Sequence, residues 1–468
     1  MTAPQRSPAA FGFKFVAPLA LGSILNPINS TMISTALVPI SNSLHISAAD
    51  TNWLIVALYM TCAVAQPSMG RFADLFGPRR IFLISLVFVA AAGVFGWLAS
   101  TLGALVGVRV LLGIGTSAAY PAAMRIFRLR ADRTGSEPPR VAMGVLSLAA
   151  VSTTAVGPFL GGVLTGAFGW HSIFAANLPL ALLTVVLILL WIPRDEPGEA
   201  PSGRFVDEVD LAGMGFFSAF LLSLMIFLME LKERPQWLAL LGTIVFGAML
   251  VRHSLRRSQP FIDVRMLVRN SPLTVTYLRA AVASMIVFCI YFGFAQWVQS
   301  AAGLSSARAG LVTLPMSVAA AVSSLTGVRT QGLRMPFLVS IGSALIGCIC
   351  LSWVDSATPI WLTAGAVMFF GVPLGTFSTA TQAAVYLQSP EEAIGAAAGL
   401  QRTAQYIGAS AAAGLLAFIY GQRATDHGLH QLSIVIGVVS ALLLIAIMFD
   451  RTIPRLARVA AEPVATSH

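Results

Sequence analysis

The sequence predicts an all-α polytopic membrane protein. Three observations carry this: apolar runs of helix length recur along all 468 residues, charges are scarce, and basic residues gather in every second connection. Only 10% of the residues are charged and 57% are hydrophobic, whereas a soluble domain carries about 25% charge. Mean hydropathy is +0.81. Lipid cannot satisfy open backbone groups, so a chain of this composition spans as helices or as a closed barrel. Runs of about 20 residues, rather than ten-residue alternations, select helices.

Taken in order, the first run, 15–38, holds Asn26, Pro27 and Asn29; it is too long and too polar for a cleaved leader and reads as a retained span. Spans follow at 52–69, 80–99, 102–125, 141–168, 170–192, 210–231, 237–252, 272–299, 308–328, 336–354, 359–386, 393–420 and 431–449. Fourteen helices are therefore expected. Lys and Arg collect in cytoplasmic loops, which tests count and orientation together. With both termini in the cytoplasm of a cell inner membrane, Arg71, Arg79 and Arg80 fall inside. So do Arg125, Arg128, Arg130, Arg133 and Arg140, then Arg252, Arg256, Arg257, Arg265 and Arg269. Lys232, Arg234, Arg308 and Arg423 fall outside, while Arg109, Arg279 and Arg402 lie within spans.

Two polar stretches, 193–210 and 252–270, bracket the seventh and eighth spans. They divide the chain into a six-helix bundle at 1–193, loops carrying two inserted helices at 194–271, and a second six-helix bundle with a cytoplasmic tail at 272–468. A faint repeat agrees, since Gly70 to Arg80 and Gly327 to Arg334 each follow the second span of a bundle. Duplicated halves of this kind build many transporters.

Composition and motifs also exclude function classes. The net charge of +10 is dispersed over short loops, not gathered on one face as nucleic-acid binding requires. Cys62, Cys289, Cys348 and Cys350 lie in apolar runs, suggesting neither disulfides nor a metal site. A phosphate-cradling loop needs Lys before Ser or Thr, but Lys14 precedes Phe15 and Lys232 precedes Glu233. ATP-driven transport within this chain is excluded, no hydrolase or metalloprotease motif occurs, and no cofactor is expected.

The stretch 70–80, GRFADLFGPRR, sets Gly70, Asp74, Gly77, Arg79 and Arg80 in a tight cytoplasmic turn. The glycines permit the turn, and Asp74 is expected to accept from Arg79, Arg80 or a helix N-terminus. In the fifth span Gly157, Pro158, Gly161 and Gly162 allow close helix approach and a bend. Arg109 in the fourth span is a functional candidate by default, because a charge within lipid is costly; its plain alternative is snorkelling toward the outer end. Asn26, Asn29, Ser30 and Ile33 share one helical face, suited either to a cavity or to interhelical amide bonds.

These motifs resemble the major facilitator superfamily, most closely its fourteen-helix drug:proton antiporter branch. The resemblance implies a major-facilitator-type fold of two six-helix bundles plus two inserted helices. It implies that residues 70–80 latch the halves, that Gly157 to Gly162 form the antiporter motif, and that Asn26, Asn29, Arg109, Gln299 and Arg402 line a substrate cavity or serve coupling. It further implies a multidrug efflux antiporter acting as a monomer among membrane lipids, exchanging protons for an amphipathic small molecule. Asn29 stands where many members carry aspartate, and none of the 19 carboxylates lies mid-span. Interior arginines without acidic partners therefore leave a second reading open, export of an organic anion or a lipid-like substrate. A receptor or scaffold without transport is the reading from another class.

Overall fold

The computed structural model describes residues 11–134, 140–195, 210–231, 235–258, 260–327, 332–389 and 394–453. Lys232, Arg234, Arg455 and Arg458 lie outside the described residues, as does much of the second repeat, 328–331. All regular structure among the described residues is helical.

The first rod is broken twice: α1 (Phe13–Ser23), α2 (Leu25–Met32) and α3 (Leu37–Leu44), with a tight turn at Ile33–Thr35. Proline explains both breaks. A proline ring clashes with the carbonyl four residues back, and Pro27 and Pro39 place that clash at Ser23 and Thr35. A short α4 (Ala48–Thr51), capped reciprocally by Ser47 and Asp50, leads into α5 (Trp53–Phe76). Then come α6 (Pro78–Leu98), α7 (Leu102–Ser117), α8 (Ala119–Thr134), α9 (Arg140–Phe168), α10 (Ser172–Ala175) and α11 (Asn177–Trp191).

The middle of the chain supplies α12 (Leu211–Met229), α13 (Trp237–Arg256) and the short α14 (Val264–Arg269). The remainder is α15 (Ser271–Ser300), α16 (Ser306–Val312), α17 (Leu314–Gly327), α18 (Arg334–Leu351), α19 (Ile360–Met368), a wide turn at Pro373–Phe377, α20 (Ser378–Gln388), α21 (Ile394–Tyr420) and α22 (Asp426–Phe449).

Twelve helical stretches among the described residues are long and apolar enough to cross a bilayer, where the sequence predicts fourteen. The other two predicted intervals, 141–168 and the described part of 308–328, are nevertheless largely helical. Helix α9 runs 29 residues, with an apolar stretch at Val156–Phe168. The other interval is split at Thr313, just before Pro315, into α16 and α17, so neither piece reaches spanning length alone.

The two middle helices sit asymmetrically. Helix α12 turns Gly213, Phe217, Leu221 and Met225 inward and packs against both α5 and α21. Helix α13 leans chiefly on α12, leaving Leu238 84% exposed for lipid to cover. Their basic ends are pinned by Asp210, which caps α12 from a left-handed backbone (φ 49°). Its carboxylate accepts from the Gly213 and Phe261 N–H groups and meets His253 Nε2 at 2.6 Å.

The internal repeat is visible in two matching contacts. Gly77-Pro78-Arg79 opens α6, and Gly332-Leu333-Arg334 opens α18. Arg79 donates to the Leu189 carbonyl near the end of α11 at 3.2 Å, and Arg334 donates to the Asp450 carbonyl just beyond α22 at 2.6 Å.

Candidate substrate and gating site

Three helices bring aromatic rings to mid-depth: Tyr59 on α5, Phe288 and Phe292 on α15, and Tyr406 on α21. Tyr59 stacks on Tyr406 with ring centres 5.7 Å apart and lies 5.4 Å from Phe288, which stacks on Phe292 at 5.6 Å. Tyr406 lies at the centre of α21 and Phe288 close to that of α15, so the cluster sits near the middle of the bundle, with Tyr59 and Phe292 toward the arginine-poor ends of their helices. Tyrosine usually gathers at membrane interfaces; two of only seven tyrosines lying mid-span is the signal that sequence reading passed over.

Asn26 belongs to this cluster. Its amide donates to Thr116 Oγ1 at 2.9 Å and to Cys62 Sγ at 3.2 Å, and its oxygen accepts from the Tyr406 hydroxyl at 3.4 Å. Asn29 does not join it. It is 3% exposed and exchanges hydrogen bonds with Asn177 at 2.6 and 2.9 Å, which makes it an interhelical lock between α2 and α11.

Arg109 is 1% exposed, which rules out snorkelling. Its Nε donates to the Leu54 carbonyl and its NH1 to the Asn29 carbonyl, both at 2.8 Å. The guanidinium thus staples α7 to α5 and α2. The expectation that all three interior arginines lack acidic partners needs correcting at Arg279, whose NH1 lies 3.0 Å from Asp450 Oδ2. The carboxylate comes from just past α22, and a count of mid-span carboxylates could not register it. Arg402 is different again: its guanidinium lies over the Tyr120 ring at 5.1 Å, joining α21 to α8.

The arginine-poor end is shut by contacts from the α4–α5 junction to the residues that follow α21 and to α15. Ala48 and Ala49 donate backbone N–H groups to Gln422 and Gly421 at 3.1 and 2.8 Å, and Gln296 Nε2 donates to Asn52 Oδ1 at 3.1 Å. Outside this seal lies a polar vestibule of about 440 Å³ lined by Ser41, Asn42, Gln296, Gln299 and Arg423 among others. Gln299 therefore belongs to the vestibule, apart from the aromatic cluster.

Glycines bring α9 against its neighbours. A Cβ on Gly157 or Gly161 would overlap Thr31 and Met32 of α2, while one on Gly162 would overlap the Ser306 carbonyl of α16. Reciprocally, a Cβ on Gly310 would meet the Pro158 carbonyl at 2.8 Å. The first two glycines pack on α2 and the third on α16.

At the arginine-rich end the 70–80 turn is arranged differently from expectation. Asp74 pairs with Arg125 Nε at 2.9 Å, not with Arg79, Arg80 or a helix end. The N-terminus of α6 is instead capped by Asp195, whose oxygens accept from the Arg79 and Arg80 N–H groups at 3.1 and 2.9 Å. Residues 115 positions apart gave the sequence no local signal for this cap.

Residues 19–413 match the Major Facilitator Superfamily. The chain belongs to that superfamily. It is 31% identical over 443 residues to an uncharacterized MFS-type transporter, YwoD, of Bacillus subtilis, covering 93% of this chain and 96% of that one. It is 25% identical to the tetracenomycin C resistance and export protein of Streptomyces glaucescens, over 87% of this chain and 76% of the relative. The methyl viologen resistance protein SmvA of Salmonella typhimurium is 26% identical over 82% and 77%. Among solved structures, the nucleoside transporter NupG aligns with a TM-score of 0.64 at 12% identity, over 93% of this chain and all of that one. The xylose transporter XylE from E. coli gives 0.63 at 14% identity, over 94% and 96%. These two likenesses establish the fold. This facilitator is a multi-pass membrane transporter, not an enzyme.

Proposed function

We propose that this facilitator exports amphipathic, ring-bearing small molecules by alternating access, using the proton gradient. The observation that carries the reading is the Tyr59, Phe288, Phe292 and Tyr406 cluster, built at mid-depth from both halves and edged by Asn26. Offset-stacked and edge-on aromatic contacts reward flat apolar bodies, while Asn26 offers a polar anchor. Two relatives are named for resistance to tetracenomycin C and to methyl viologen, which supports export of small molecules.

In this reading the chain spans fourteen times, α9 and the α16–α17 rod adding to the twelve apolar helices, with 1–193 and 272–468 as the rocking bundles and 194–271 as the insertion. Both termini face the cytoplasm of an inner membrane, a reading the arginine distribution supports, and one copy surrounded by lipid suffices. Substrate enters from the arginine-rich side, and the seal at Ala48, Ala49 and Asn52 opens to release it. Gly70, Gly77 and the Asp74–Arg125 pair hold the cytoplasmic turn in shape, and the Gly162–Ser306 approach is the pivot.

Proteoliposomes with an imposed pH gradient test this. Uptake into inverted vesicles of a fluorescent aromatic compound should follow the gradient and collapse with a protonophore. Accumulation indifferent to the gradient would remove proton coupling, and no movement of any aromatic compound would remove the export reading.

A further inference from the structure

We infer that the substrate of the central site carries an anionic group beside its aromatic body, and that Arg402 selects it; this rests on the aromatic cluster being the transport site. The three interior arginines are committed differently. Arg109 is bound to two carbonyls and Arg279 to a carboxylate. The Arg402 guanidinium instead rests on the ring of Tyr120 and beside the Tyr406 hydroxyl, and among the described residues no carboxylate pairs with it. Arg402 and Tyr406 are four residues apart on α21, so they project to the same side of the helix. That places a fixed cation about one helical turn from the ring stack.

A cation–π contact in this setting is weaker than a charge-assisted hydrogen bond to a desolvated carboxylate, sulfonate or phosphate. An anionic group next to the stack therefore draws Arg402 off Tyr120. Because Tyr120 is on α8 and Arg402 on α21, the same event unfastens a contact between the two halves. Binding and release of the halves become one step, which gives the anion a differential interaction with the two states. A cationic compound at this position meets Arg402 with no mid-span carboxylate in the sequence to offset it.

The test is equilibrium binding to the purified full chain in nanodiscs of three probes sharing one ring: 2-naphthoate, 2-naphthamide and 2-naphthylmethylammonium. The naphthoate should bind at least ~10-fold tighter than the amide, a factor worth measuring directly, with the ammonium weakest. Arg402→Gln should erase that ranking while keeping amide binding, Arg402→Lys should restore part of it, and Tyr120→Leu should tighten naphthoate alone. Equal binding of all three probes by the unaltered protein, or preference for the ammonium, overturns the inference and leaves the aromatic export site standing. Failure of all three probes to bind overturns that site, and the inference with it.

Discussion

The carboxylate of Asp195 accepts the backbone N–H of Arg80 at 2.9 Å, so the chain leaving α11 closes the start of α6. A side chain oxygen at a helix start stabilises by about 0.5–2 kcal/mol. Asp195→Ala should lower the unfolding temperature of the purified protein accordingly, while Asp195→Asn, which still accepts hydrogen bonds, should lose less. Gly77→Ala should be worse than either, because Gly77 adopts φ +93° and a Cβ there would run into the Asp195 carboxylate. Equal unfolding temperatures for all four proteins would show that the cap contributes nothing.

Arg109 satisfies two buried carbonyls from two other helices. Removing it takes away two buried charge-assisted hydrogen bonds, at about 1.5–3 kcal/mol each. Arg109→Ala should destabilise the protein in thermal unfolding and lower its yield from membranes. Arg109→Lys, with a single point of donation, should recover only part of the loss. An alanine variant as stable as the parent would refute the staple.

The seal at the arginine-poor end gives a direct test of alternating access. Ala49 and Gly421 are linked by a 2.8 Å backbone hydrogen bond, so cysteines at Ala49 and Gln422 should cross-link on oxidation. The four native cysteines are free and largely buried in the bundle. Transport should stop on oxidation and return with reductant; undiminished transport by the cross-linked protein would mean that the halves do not part here.

The α9–α16 approach tolerates no added atoms. Gly162→Val and Gly310→Val should abolish transport or sharply reduce stability, because either side chain would force apart backbones already in contact. Gly103→Ala, where a Cβ meets nothing within 4 Å, serves as the neutral control. Loss of transport in the control alone would invert the argument.

The Asp210 corner makes a pH prediction. Burial pushes its carboxyl up, but hydrogen bonds from His253 and from the Phe261 and Gly213 N–H groups outweigh this and hold it below the usual carboxylate value. A carboxyl lowered in the folded state adds stability at every pH above its unfolded value. That stability is lost as pH falls through the folded value. Acid unfolding of the parent should therefore show a steep limb below the ordinary carboxylate range, and Asp210→Asn should flatten it. An unchanged acid limb would take the corner out of the account.

Several of these groups were legible before any coordinates. Gly77 marked the turn before α6, because backbone rules act within a few residues; the breaks that Pro27 and Pro39 impose on the first rod went unread, since the run 15–38 reads as a single helix. Arg109 was identifiable because a charge in an apolar run always needs a reason, although its carbonyl partners were not. Asp195 on the start of α6, Asp450 on Arg279 and Arg402 on Tyr120 all join residues more than a hundred positions apart, and no local pattern encodes such pairs.

The sequence by itself determined that this chain lives in lipid, that it crosses as helices and which end is basic. It did so because water, lipid and backbone hydrogen bonding act on composition and spacing alone. Only the tertiary structure decided which polar side chains face the centre. It took Asn29 and Gln299 away from the aromatic cluster, kept Asn26, and added Tyr59 and Tyr406. Those assignments depend on how each helix is rotated against its neighbours, which is set by the packing of side chains and glycines across the whole bundle.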